Sequence, residues 1–157
     1  MARRKVIEWL IHRLEHEVDD DHFRMDMWLA KRSNGEGVLY HSEKDIPYCK
    51  TAACMAGTLF LGLPKSIRKG YTKLDDLWGN GAANIQFAAQ EQMGLTYEQA
   101  DQLFSPALWE LNSVTRQDAI AVLRHMLDFS TINWCAVAPE LPWSASVEPK
   151  VITLTED

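Results

Sequence analysis

Apolar side chains recur at three- and four-residue steps along most of the chain, the period of helices that bury one face. Val6, Ile7, Leu10, Ile11, Leu14 and Val18 form the first stripe and predict an amphipathic helix over 4–18, with Arg3, Arg4 and Lys5 in a solvated first turn. Asp19-Asp20-Asp21 interrupts it. Asp21 is placed to cap a second helix over 22–31, with Phe23, Met27 and Ala30 turned inward. Ser33 to Gly37 reads as a loop, and Val38-Leu39-Tyr40 as a short strand with no obvious partner.

Thr51 is a suitable cap for a third helix, which runs to Leu61 and is followed by Gly62 and Pro64. That segment has almost no polar face, so it belongs at the centre of a bundle. Ala53 and Gly57, four apart and small, let another backbone come close. Residues 65–83 read as irregular, and Asn84 to Met93 as a helix closed by Gly94. Thr96 and Gln99 have the spacing of a capping box, which starts a short helix ending near Phe104. Ser105-Pro106 starts another. Thr115 caps the last strong helix, Arg116 to Phe129, with Ala119, Ile120, Leu123, Met126 and Leu127 inward. Pro139, Pro142 and Pro149 punctuate 136–157, which reads as an extended arm with a short strand at 151–154.

The pattern therefore predicts a mainly α fold: a multi-helix bundle around the apolar helix at 51–61, with room for a minor β hairpin. Residues 1–135 form one helical domain and 136–157 the C-terminal arm. The 157 residues, 46 % apolar and 24 % charged, fit that picture and exclude disordered and fibrous chains. A domain of this size buries roughly 70 % of its unfolded surface without a disulfide or metal staple. No apolar run approaches the roughly 18 residues that span a bilayer. The basic start is followed by charge every few residues, with no secretory core or cleavage site. Three cysteines, Cys49, Cys54 and Cys135, suit a reducing compartment better than a disulfide framework. A cytoplasmic protein is expected.

The charge is unevenly divided. The formal net charge is −6; residues 1–80 carry 13 basic and 12 acidic side chains, residues 81–157 only 3 basic and 10 acidic. An acidic half repels nucleic acid and attracts basic proteins. Six tryptophans stand at 9, 28, 78, 109, 134 and 143. Most are expected in or beside the core. Trp143, in the proline-rich arm, and Trp109 are candidate interface anchors, with Glu110 and Glu140 beside them.

Three fragments occur in order: Phe23-Arg24-Met25-Asp26-Met27-Trp28, Cys49-Lys50-Thr51-Ala52-Ala53-Cys54-Met55-Ala56-Gly57, and the apolar run from Ala119 to Ile132-Asn133-Trp134. With Leu95-Thr96 and Leu103-Phe104 they resemble a loose family of small bacterial and phage proteins that carries a Cys-Gly-Thr-x-x-Cys-x-Ala-Gly core. Lys50 stands where that family has glycine. The resemblance covers roughly residues 20–135. It implies a shared fold and a mobile-element setting, and brings no catalytic residues.

Cys49 and Cys54 leave three readings open. Both can be small core residues. Cys54 can be a nucleophile, activated at a helix start and served by one of His12, His16, His22, His41 or His125. Or the two can bind zinc with Cys135 and His41, although the spacing is not that of common fingers. His16-Glu17-x-Asp19-Asp20-Asp21-His22 can be read as a metal or acid/base cluster, but a helix break plus a cap explains it more simply. Lys65, Arg68, Lys69, Tyr71 and Lys73 form a compact basic patch able to hold a phosphorylated or nucleotide ligand. A solvated connection between helices is the simpler reading. No Walker-type loop, dinucleotide fingerprint or hydrolase triad motif is present.

The expectation is a non-enzymatic interaction module, in its most specific form a phage-encoded inhibitor of a host defence or nucleic-acid enzyme. Its partner would be a protein with a basic surface, and neither duplex nucleic acid, a membrane nor a cofactor is implied. The alternatives are the phosphorylated-ligand binder at Lys65–Lys73 and a cysteine enzyme at Cys54. Oligomeric state stays open.

Overall fold

The structure, a computed structural model, describes residues 3–25, 29–33, 36–38, 51–71, 80–106, 113–141 and 151–154. Helix α1 (Arg4–His16) buries Ile7, Leu10, Ile11 and Leu14, the expected stripe. Its start is fixed to a distant part of the chain by Arg3 N–H donating to the Met93 carbonyl at 2.8 Å. Arg4–Glu8 and Arg13–Glu17 pair one turn apart on its outer side, at 2.8 and 2.6 Å, contacts worth a few tenths of a kcal/mol each.

The helix expected over 22–31 does not form. Asp19, not Asp21, supplies the cap, and it closes only the single tight turn Asp20–His22. Phe23 then takes an extended conformation and bridges to Ala53, while Arg24 N–H donates to the Ala53 carbonyl at 3.0 Å. Strand β1 (Leu29–Ser33) follows, as the centre of a three-stranded antiparallel sheet in the order β2-β1-β3. Pairing with two neighbours outweighs the weak helical preference of the segment. Of the strand expected at 38–40 only Val38 is described, and it has a partner: it ends β2 (Glu36–Val38), which pairs with β1, Ser33 opposite Glu36 and Lys31 opposite Val38.

Thr51 is not a helix cap. It opens β3 (Thr51–Ala53), opposite Lys31 of β1. Helix α2 (Met55–Gly62) begins three residues later than expected, capped by Cys54. Every residue from Met55 to Phe60 is buried, so α2 is the apolar centre expected of it, with α4 and α1 packed against it. Gly62 does not follow the helix but ends it, with Leu63 at the cap. Glycine is needed there for a close approach: an added Cβ would lie 2.0 Å from Trp9 Cη2.

Residues 65–83 are not irregular throughout. Lys65–Tyr71 form α3, and Arg68 turns inward to donate to the Leu61 and Leu63 carbonyls, both at 2.9 Å. Carbonyls at a helix end lack intrahelical partners, so this buried guanidinium finishes α2. Helix α4 (Asn80–Met93) starts four residues before the expected Asn84 and stops at Gly94, whose φ of 67° suits glycine.

The second half follows the sequence expectation closely. Thr96 and Gln99 form the capping box of α5 (Tyr97–Phe104), at 3.2 and 2.9 Å. Thr115 and Asp118 form another on α6 (Arg116–Phe129), which buries Ala119, Ile120, Val122, Leu123 and Met126. Leu127 is only partly buried. Helices α1 and α6 lie antiparallel: the Arg4 guanidinium reaches the Leu127 carbonyl, and Arg116 reaches that of Leu14. Ser130 turns left-handed at φ 53° and leads into β4 (Thr131–Ile132), which pairs with β5 (Ile152–Thr153) inside the strand expected at 151–154. Between them α7 (Trp134–Val137) buries Trp134, whose indole N–H donates to the Gln102 carbonyl at 3.0 Å. The fold is mainly α, built around α2, with the small antiparallel sheets at its side. The short helix expected after Ser105-Pro106 lies outside the described residues.

Candidate functional site

Cys54 sits at the start of α2, as the nucleophile reading requires, but its thiol is buried at 2 % exposure. Its Sγ accepts the Gly57 N–H at 3.4 Å, a capping role. Cys135, in α7, is exposed. Cys49 and His41 lie outside the described residues. No group of three or more His, Cys, Asp and Glu side chains converges as a metal site among the described residues. The acidic run after α1 is dispersed by its partners. Asp19 accepts from the His22 backbone at 3.1 Å and meets His22 Nδ1 at 2.5 Å, and that hydrogen bond holds its carboxyl below the usual range. Asp20 pairs with Arg116 at 3.0 Å.

The basic patch is divided between two faces. Lys65 and Lys69 are exposed, whereas Arg68 is buried against the end of α2. The Tyr71 hydroxyl donates to Glu91 of α4 at 2.5 Å, and its ring meets Phe87 edge-on at 6.3 Å. Burial, with the Glu91 carboxylate beside it, pushes the phenol above its usual pKa. Lys73 lies outside the described residues.

The acidic half has a clear geometry. Of its three basic residues, Arg116 and Arg124 are described, and both turn to acids of the first half, Asp20 and Glu15. Glu91, Glu98, Asp101, Asp128 and Glu140 are exposed. Three of the anchors named from the sequence, Trp109, Glu110 and Trp143, lie outside the described residues. Glu140 is exposed just beyond α7.

Sequence reasoning missed Tyr97. Helix α5 buries Gln99, Ala100, Leu103 and Phe104. Its outer side carries Tyr97, 69 % exposed, with Glu98 next to it and Asp101 one turn on. The capping box fixes the phase of α5, so this outward face could have been read from Thr96 and Gln99. An exposed aromatic ring with carboxylates beside it offers apolar contact area within a negative rim, the composition of an interface anchor.

No described helix is long and apolar enough to cross a membrane. Comparison with known protein families, with curated proteins and with solved structures yields no match.

Proposed function

We propose that this chain is a non-enzymatic interaction module that binds a basic protein surface through the outer face of α5. The carrying observation is Tyr97 exposed at the start of α5 with the exposed Glu98 next to it and Asp101 one turn on, in a half whose described arginines are occupied by the other half. Complementary charge steers such encounters, and a desolvated aromatic supplies the holding energy. The partner is a nucleic-acid or host-defence enzyme with a cationic cleft, since those surfaces are built to receive negative charge. The resemblance to small bacterial and phage proteins supports a mobile-element setting and action in the cytoplasm of a bacterial host.

The test is capture from a bacterial lysate at about 50 mM salt, with a wash near 1 M, where charge attraction reaches only about 3 Å before it is screened. One stoichiometric basic protein should be retained at low salt and released by the wash. Tyr97→Ala combined with Asp101→Lys should abolish its retention. Capture that survives both the wash and the double substitution would overturn the reading.

A further inference from the structure

His12 and His16 stand one turn apart on α1. Their rings lie 4.6 Å apart, centre to centre, with planes tilted by 49°. Both residues are exposed, and the helix packs through Ile7, Leu10, Ile11 and Leu14 instead. Two histidines four residues apart on a helix project from one face and can chelate one ion.

The spacing can be checked against coordination chemistry. Metal–nitrogen bonds of about 2.1 Å, with about 1.1 Å more from nitrogen to ring centre, put two imidazoles bound side by side about 4.5–5.2 Å apart. The observed separation falls within that range. The helix is already fixed by its buried stripe, so little ordering is needed on binding. Glu15 Oε2 lies 3.7 Å from His16 Nε2, while its other oxygen pairs with Arg124. The neighbouring Arg13 is held by Glu17.

We infer that His12 and His16 form a two-nitrogen site for a divalent transition cation, with water completing its shell. Imidazole donors select Cu2+, Ni2+ and Zn2+, with Cu2+ bound tightest. Mg2+ and Ca2+ demand oxygen donors and are not taken here.

The test is calorimetric titration of the whole chain with NiCl2 at pH 7.5 in a non-chelating buffer. One ion per chain should bind, and His12→Ala and His16→Ala should each weaken binding fivefold or more. His22→Ala, which removes a histidine beyond α1, should change it less than twofold. Both α1 histidines are exposed, so unchanged melting curves will show that the variants fold. Electron paramagnetic resonance of bound Cu2+ should show two imidazole nitrogens in the parent and one in each single variant. No binding in the parent, a loss below fivefold in either α1 variant, or loss through His22→Ala would overturn the assignment.

Discussion

Replacing Cys54 by alanine separates a capping thiol from a reactive one. The sulfur is buried and accepts the Gly57 N–H at the first turn of α2. Losing an ordinary N-cap acceptor costs about 0.5–2 kcal/mol, and sulfur is a weak acceptor, so the low end applies. Removing one buried sulfur from a packed interior adds about 1 kcal/mol. Together these give about 1.5 kcal/mol, which for a chain of this size is about 3–6 °C in Tm. Serine keeps a good cap acceptor, so Cys54→Ser should melt between the alanine variant and the parent. Calorimetric melting measures the order. Peptide mapping after alkylation of the native protein supplies the second readout: exposed Cys135 should react first. Cys54 should lag about 1,000-fold if reaction waits on an opening of about 4 kcal/mol. An alanine variant within 1 °C of the parent, or Cys54 labelled as fast as Cys135, would refute the capping role.

Trp134→Phe removes the donor to the Gln102 carbonyl and part of a fully buried ring. It should cost about 2–4 kcal/mol in urea unfolding, and a loss under 0.5 kcal/mol would count against that bond. Gly62→Ala should drive the Trp9 ring off α2 and away from Arg13, which lies 5.5 Å above it. The strain of about 1–2 kcal/mol exceeds the helix preference of alanine, about 1 kcal/mol. The substitution should therefore destabilise the parent and stabilise a Trp9→Ala background, and stabilisation in both would show that the ring exerts no constraint. Asp19 should titrate below 3.8, because His22 hydrogen-bonds its ionised form. A depressed carboxyl contributes stability above its unfolded value and loses it as pH falls through its folded one. Carboxyl NMR should therefore show the midpoint rising toward 3.8 in His22→Ala, and an unmoved midpoint would exclude His22 as the cause.

What was legible in the sequence was local. Helices α1, α5 and α6 declare themselves by a 3.6-residue stripe and, for the last two, by capping boxes whose members stand three residues apart. The centrality of α2 was equally plain, since an element with no polar face has nowhere else to go. Its start was not. Thr51 is a sound cap by type, and only its pairing with Lys31, twenty residues earlier, draws it into a strand. The same non-local pairing removed the helix expected at 22–31. One local signal was available there: Asn34-Gly35, between the paired Ser33 and Glu36, is a favoured hairpin dipeptide. Arg68 looked like part of a cationic surface because charge alone does not tell which way a side chain turns. Two unmet carbonyls at the end of α2 decided it. The exposure of Tyr97 follows from the phase of α5, which Thr96 and Gln99 fix, rather than from its residue type.

The packing of α1 on α6 sets a timetable for synthesis. The first helix leaves the ribosome with Ile7, Leu10, Ile11 and Leu14 already on one face, yet its partner ends only at Phe129. At translation rates of about 5–20 residues per second, the roughly 110 intervening residues take about 6–20 s. Helices α2 and α4 can cover part of the stripe earlier, but the side that meets α6 stays greasy and open for the whole interval, a natural landing place for ribosome-associated chaperones.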